Sequence, residues 1–578
     1  MSNINRFLIT PLILCTSIGL FISCKTNQVK SSSIFNDSSA TYTINKVFTG
    51  NKYAVVCAHP LASLAGQQVM AKGGNAFDAA IAMQLALAVV YPAAGNIGGG
   101  GFMIAHLKTG ENLALDFREK AGSKASRDMY LDATGNALTE KSQNGHLAAG
   151  IPGTIAGIIA MLPYAKLPLA ILCQPAINYA KNGFAITDKE ANNLNANKAN
   201  FLKYNTHTPA LIKNGLWAKG NLLVQTELAY TLTRIQKNGA AGFYQGETAN
   251  YIVAEMQKGG GILTLNDLKN YKATWRKPLV FNYNNHQIIS MPPPSSGGII
   301  LNQLLTFSKL MQLNKYNYQS QQAVNIMVEA ERLAYADRAD FMGDPDFVKV
   351  PVKTLTSDGY LQKRLNNFTL GQAGKSSQTK AGNITQSEET THLNVIDSEG
   401  NAVSLTTTLN GNYGSKTVVA GAGFLLNNEM DDFSIKPGTP NMYGAIGGEA
   451  NSIAPGKTML SSMTPTIVLQ NNALKYIVGT PGGTTIPTSV YQTIVNLIDF
   501  NLSPEDAVWL PKFHHQWLPD EVFVEQGFNI RTIEALKNMG YKITNRSAIG
   551  RTELIVIDAN KKIKAVADTR GDDDARGK

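Results

Sequence analysis

The chain has 578 residues, 44% of them hydrophobic and 16% charged. That content buries a large core and excludes global disorder, and 51 Gly without a G-X-Y period exclude collagen and point to many tight backbone turns. The net charge of +10 (52 Lys+Arg against 42 Asp+Glu) is spread in short pairs such as Lys561-Lys562, which favours a diffusely basic surface over a nucleic-acid interface. Length sets a soft prior of roughly three or four domains.

Residues 1–24 read as a processing segment: Arg6, an apolar run from Phe7 to Ile22, and small residues at its end. The run is short for a membrane span and is weakened by Pro11 and Gly19. Its end, Phe21-Ile-Ser-Cys24, resembles a bacterial lipoprotein signal, which implies acylation of Cys24; a plain cleaved signal is the alternative. Residues 25–44, rich in Ser, Thr, Asn and Lys, read as a solvated tether. An exported protein of the periplasm or cell envelope is expected, touching the membrane only through that lipid. Outside the signal region only Cys57 and Cys173 remain, too few for a disulfide framework, and their pairing is left open.

Tyr53–Cys57 reads as a buried strand and Leu61–Lys72 as a helix ended by Gly73-Gly74. Asn75 is an N-cap for an apolar helix over Ala76–Tyr91, stopped by Pro92. The run Gly95–Gly101 lacks the Lys-Ser/Thr of a phosphate-binding loop and is read as backbone packed on backbone, followed by a strand over Phe102–Leu107. Helical patterns alternate with loops over 150–280, a strand is expected over Tyr283–Met291, and a long helix over Gln321–Phe341 from apolar spacing at Ala323, Ile326, Met327, Ala330, Leu333 and Ala334. The polar stretch Gly371–Glu389 is not core. Strands follow at Leu393–Ile396 and Ala402–Leu409, joined by the turn Asp397–Asn401. Others are expected at Thr466–Leu469 and Leu474–Val478, with a helix near Pro487–Phe500.

A flexible polar segment ends at Glu389 and a strand begins at Thr390. A hydroxyl is a poor nucleophile without a base in hydrogen-bond reach. Cutting the bond before Thr390 would give it an α-amine with a pKa near ~8, making one residue both nucleophile and base. Spacing alone supports this weakly, since Thr-Thr-His at a strand start is usually a sheet edge and His392 a packed histidine.

Ordered blocks strengthen the reading. They include Gly73–Ala80, Gly95–Phe102, Leu115–Glu119, Met291–Gly298, Thr390-Thr-His392, Ser404–Asn410, Leu426–Phe433, Leu460–Pro465, Gly479–Gly483 and Phe513–Pro519. Over about residues 45–570 the chain resembles the bacterial γ-glutamyltransferases. That resemblance implies an α+β fold, the four-layer αββα sandwich of the N-terminal-nucleophile hydrolases. It further implies self-cleavage between Glu389 and Thr390 into a large subunit (45–389) and a small one (390–578) that stay together as a heterodimer. Implied substrates are glutathione and other γ-glutamyl donors, with water or an amino acid or dipeptide as acceptor. No cofactor, metal or nucleic-acid partner is implied.

Carried over by position, the resemblance makes Thr390 the nucleophile, Thr408 the hydroxyl that supports it, and Gly482 and Gly483 the amide donors to the oxyanion. Arg118 would clamp the donor's carboxylate with Ser461 and Ser462, and Asp432 would hold its ammonium with Asn410 and Glu429 beside it. The loop Pro437–Gly448, containing Tyr443, would be a lid. Two departures stand out: Glu429 where some members have Gln, and Ala567-Asp-Thr-Arg570 with the acidic run Asp572–Asp574, which is assigned to the surface. A related acylase acting on glutaryl-cephalosporins is the second reading, disfavoured because that donor lacks the ammonium Asp432 would hold. A non-catalytic peptide-binding lipoprotein is the third.

Overall fold

Side chains alternate along the two strands that follow the polar stretch, and the alternation sets the layers. Thr391, Leu393 and Val395 face one way, while His392, Asn394 and Ile396 face the other. The computed structural model describes residues 42–379, 390–442, 444 and 447–578. The signal segment 1–24 with Cys24, the tether up to residue 41, Glu389 and Tyr443 lie outside the described residues.

Two seven-stranded antiparallel sheets stack face to face. The first runs Asp574–Gly577, Ala54–Cys57, Thr391–Ile396, Ala402–Thr408, Gly100–His106, Asn112–Asp116, Thr274–Arg276. The second runs Val47–Gly50, Ile563–Val566, Glu553–Ile557, Ala473–Gly479, Thr466–Gln470, His286–Ser290, Leu279–Tyr283. Strands from before the polar stretch and after it are neighbours at five seams: 54–57 lies between 574–577 and 391–396, 100–106 pairs with 402–408, 47–50 with 563–566, and 286–290 with 466–470.

Between the sheets lies an apolar core that includes Val56, Phe102, Ile104, Ile289, Ile467, Ile477 and Ile555. The helices Pro60–Ala71 and Ala76–Val90 cover the outer face of the first sheet. The second is covered by Gly297–Leu310, Gln321–Phe341 and Ile486–Ile498. The result is the four-layer αββα sandwich. Asn75 caps Ala76–Val90 in a capping box with Asp78, as its position suggested. No helix among the described residues is long and apolar enough to cross a membrane.

Two expectations are corrected. The strand expected over Tyr283–Met291 spans only His286–Ser290, the second arm of a hairpin with Leu279–Tyr283, because Asn284 adopts φ 51° and turns the chain between Tyr283 and His286. The end of the chain is not surface. Asp568, Asp573 and Asp574 are buried, Asp574–Gly577 is an edge strand on Ala54–Cys57, and the Arg570 guanidinium binds Asp568 and Glu525. Buried carboxylates there have cationic and amide partners, which a hydropathy reading does not see. Cys57 and Cys173 are buried, unpaired thiols.

The inter-sheet layer is polar toward one end. His392 Nδ1 lies 2.9 Å from Thr406 Oγ1 and Nε2 lies 2.9 Å from Asn394 Oδ1. Asn394 Nδ2 donates across the gap to the Glu553 carbonyl at 2.8 Å. Burial pushes the His392 pKa down to about 3, and that of buried His515, beside Arg332, down to about 4. Both are folded in the neutral form. Such a group contributes stability above its unfolded pKa of about 6.5 and loses it as pH falls toward the folded value. Each should lose roughly 2–3 kcal/mol between pH 6.5 and 4.5. The melting temperature is expected to fall steeply over that range, and less steeply in His392→Gln; equal slopes in thermal melts of the two proteins would reject the assignment.

Candidate active site

Thr391 pairs with Thr407 across the two central strands, and continuing that register sets Thr390 opposite Thr408. Their hydroxyl oxygens are 3.4 Å apart and both side chains are buried. Thr408 Oγ1 also accepts the Asn410 backbone N–H at 2.8 Å. Beneath them the glycine run acts as expected. A Cβ on Gly99 would sit 2.0 Å from the Thr408 carbonyl, and one on Gly98 2.2 Å from that of Leu425. Asn96 ties the run to the strand, donating to Thr408 O at 2.9 Å and Thr407 Oγ1 at 3.1 Å, while its own Oδ1 accepts from Gly99 N–H and Thr154 Oγ1.

Thr390 opens onto a narrow cleft that brings together Arg118, Thr408, Asn410, Asp432, Ser461, Ser462 and Gly483. With Thr390 these eight residues come from six separate parts of the sequence, so the fold assembles what no local pattern contains. Gly482, next to the lining Gly483, has φ 137°, a value that favours glycine. Neither Gly482 nor Gly483 N–H donates to a described residue.

At the far wall Arg118 is 1% exposed and surrounded by carboxyls. Its Nη2 meets Asp432 Oδ2 at 2.5 Å, its Nη1 meets Glu429 Oε2 at 2.6 Å, and Glu119 Oε2 lies 3.5 Å away. The Glu429 contact is close but not aligned as a hydrogen bond. Three carboxyls around one guanidinium cannot all ionise in a buried site. Burial accordingly raises Glu429 well above the carboxylate range and pushes Glu119 up to about 8, with Arg118 opposing both shifts. Arg118 and Asp432, expected on opposite ends of a ligand, here bind each other.

Three polar lining residues have no individual assignment from sequence: Arg338, Asn441 and Thr484. Asn441 Nδ2 donates to Asp432 Oδ1 at 2.8 Å. Thr484 joins the cleft to the Phe513–Pro519 block through Gln516 Oε1 at 2.6 Å. Arg338 was within reach of sequence reasoning, since it continues the i+4 row Ile326, Ala330, Ala334 on the buried face of its helix. In the same block Trp517 Nε1 donates to the carbonyls of Ser376 and Thr379, so the last described part of the polar stretch is docked rather than loose.

Two antiparallel sheets between helical layers, with a hydroxyl residue heading a central strand beside a charged cleft, define an N-terminal-nucleophile hydrolase. The Gamma-glutamyltranspeptidase family model matches residues 62–577. A "Glutathione hydrolase proenzyme" of Escherichia coli is 44% identical over 518 residues, 89% of each chain. Among solved structures, gamma-glutamyltranspeptidase of Helicobacter pylori is 48% identical, covering 56% of this chain and 94% of its own at a TM-score of 0.55. Cephalosporin acylase of Bacillus halodurans is 26% identical, covering 93% and 97% at a TM-score of 0.80. The chain belongs to the gamma-glutamyltranspeptidase family.

Because Gly99 leaves no room at the Thr408 carbonyl, Gly99→Ala should cost at least about 1–3 kcal/mol by overpacking. Gly359→Ala, at an exposed helical glycine with open space around it, should be neutral or stabilising by about 0.5–1 kcal/mol. Thermal melts of both variants check this; equal melting points would refute the close-packing account.

Proposed function

We propose that the chain is a self-cleaving γ-glutamyltransferase, acting on glutathione and related γ-glutamyl compounds. The observation that carries this is the cleft itself: a buried hydroxyl pair at one end, and at the other a buried Arg–Asp pair suited to an α-amino acid head. Cleavage before Thr390 would give a large subunit, 45–389, and a small one, 390–578. The printed name of the E. coli relative, a proenzyme, supports processing, as does the H. pylori chain, which is 94% covered while spanning 56% of this one.

In this reading the Thr390 α-amine takes the hydroxyl proton as Oγ1 attacks the γ-carbonyl. The oxyanion is held by the Gly482 and Gly483 amides, which have no other acceptor among the described residues. Thr408, 3.4 Å away, steadies the Thr390 hydroxyl. The leaving amine recovers the proton, and a γ-glutamyl ester of Thr390 remains. Water then gives hydrolysis, and an amino acid or dipeptide amine gives transfer, with the same α-amine acting as base.

The donor's head would enter by exchange. Its carboxylate would replace Asp432 on Arg118, with Ser461 and Ser462 beside it, and Asp432 would turn to its ammonium with Asn410 and Glu429. The Pro437–Gly448 loop, with Tyr443, would serve as a lid that excludes water, a role supported by the contact of Asn441 with Asp432. The same charge pair disfavours a glutaryl-cephalosporin donor, which has no ammonium. Export to the periplasm or cell envelope, with Cys24 lipidated, completes the proposal and rests on the 1–24 segment.

Denaturing electrophoresis with N-terminal sequencing should show two fragments, the smaller beginning at Thr390. Thr390→Ala should remain one band and turn over no γ-glutamyl anilide, with or without glycylglycine. An uncleaved wild type that is fully active would overturn the mechanism. Arg118→Ala should raise KM for the anilide by roughly 10- to 100-fold, the worth of a charge-assisted hydrogen bond; an unchanged KM would reject that role.

A further inference from the structure

Arg338 is a second cation in the cleft, on the long helix that packs over the second sheet. It is 7% exposed and lines the same space as Thr390 and Arg118. Its Nε donates to Ser296 Oγ at 3.1 Å and its Nη2 to Ser462 Oγ at 3.2 Å. Unlike Arg118, it makes no ion pair with a described residue.

The two serines are themselves oriented. Ser296 Oγ donates to the Ser461 carbonyl at 2.7 Å, and Ser296 N–H donates to the same oxygen at 2.8 Å. That leaves Ser296 Oγ as an acceptor for Arg338, which fixes the guanidinium. Ser462 Oγ, in turn, accepts from Arg338, and its own proton has no acceptor among the described residues. A hydroxyl has one proton and two lone pairs. One lone pair is taken by the cation and the proton is left without a protein acceptor among the described residues, so Ser462 is poised to donate, and the direction open to it is the cleft.

We infer that Arg338 is a positioning residue for donor recognition: through Ser462 it turns a neutral hydroxyl into a fixed, polarised donor that selects an anionic head over a neutral one. The charge count agrees. Arg118 is already paired with Asp432 and flanked by two further carboxyls, so without Arg338 the cleft has little positive charge left to offer a ligand carboxylate. Arg338 adds positive charge that no neighbouring carboxylate pairs with, beside the serine that would meet the ligand. Two lesser possibilities carry less. A larger cavity bounded by Ile97, Leu211, Val224 and Phe424 has nothing that names its ligand. The Trp517 clamp on Thr379 leads into residues that are not described.

This inference rests on the proposed γ-glutamyl donor, and the test separates the two. Wild type, Arg338→Gln, Arg338→Lys, Ser462→Ala and the double variant Arg338→Gln/Ser462→Ala are assayed on γ-glutamyl anilide and on its α-carboxamide analogue. Two-fragment cleavage reports an intact fold. Arg338→Gln should lower kcat/KM on the free acid at least tenfold, mainly through KM, with a several-fold smaller loss on the carboxamide, so that discrimination collapses. The double variant should be little worse than either single one, because both break the same contact. Should Arg338→Gln fail to fold, Arg338→Lys keeps the charge without the fork and should show a smaller loss of the same selectivity. Equal losses on the two substrates, or additive losses in the double variant, would overturn the inference. A wild type inert on γ-glutamyl anilide would instead defeat the functional proposal beneath it.

Discussion

Pairing of Thr391 with Thr407 sets the side on which every residue of the two central strands points. With that register His392, Asn394, Ser404 and Thr406 fill the polar end of the inter-sheet layer, and Thr390 meets Thr408 at its rim. A slip of one residue would turn the hydroxyls toward the helices and the leucines toward the polar layer. Several contacts hold the register at once. Asn394 and Ser404 reach the Glu553 and Val478 carbonyls of the opposite sheet, and the His392 ring fills the space where a Cβ on Gly479 would be, 2.1 Å from its Cε1. The position of Thr390, the proposed nucleophile, is therefore a property of the whole sandwich.

Charge at the other end of the cleft obeys a different economy. Desolvating Arg118 is tolerable only beside a negative partner, and the chain places three carboxyls within 3.5 Å, of which Asp432 makes the hydrogen-bonded pair. Such a cluster is rigid while complete and unfavourable if one member is removed. A ligand that carries both signs exchanges one ion pair for two without leaving a buried charge alone. That property suits a zwitterionic head better than a simple anion or cation.

Much of this was legible in the sequence where the cause is local. The Asn75 cap, the Asp397–Asn401 turn and the Gln321–Phe341 helix follow from capping chemistry and periodicity. The close approach of the Gly95–Gly101 run follows from composition alone, although not which backbone it meets. Thr390 was marked by an abrupt change from polar stretch to strand, and its partners by family resemblance rather than spacing. The misreadings have nonlocal causes. Asn284 takes a left-handed turn that breaks the expected strand and lets its two arms pair, and the acidic end of the chain is buried because Lys46 and Arg551 reach it from distant positions while Arg570 ties Asp568 to distant Glu525. Arg338 continues the apolar row of its helix, where a charge contradicts the pattern. Such a contradiction is where tertiary structure has most to add.

The five seams at which early and late strands adjoin have a consequence for the processed protein. If the chain is cut before Thr390 as proposed, neither product owns a complete sheet, and each would expose bare strand edges if the other left. Parting the fragments is then the same event as melting them, so dilution has no purchase on the pair. Supplied from two genes, the halves would have to entwine as they fold; they could not meet as finished bodies.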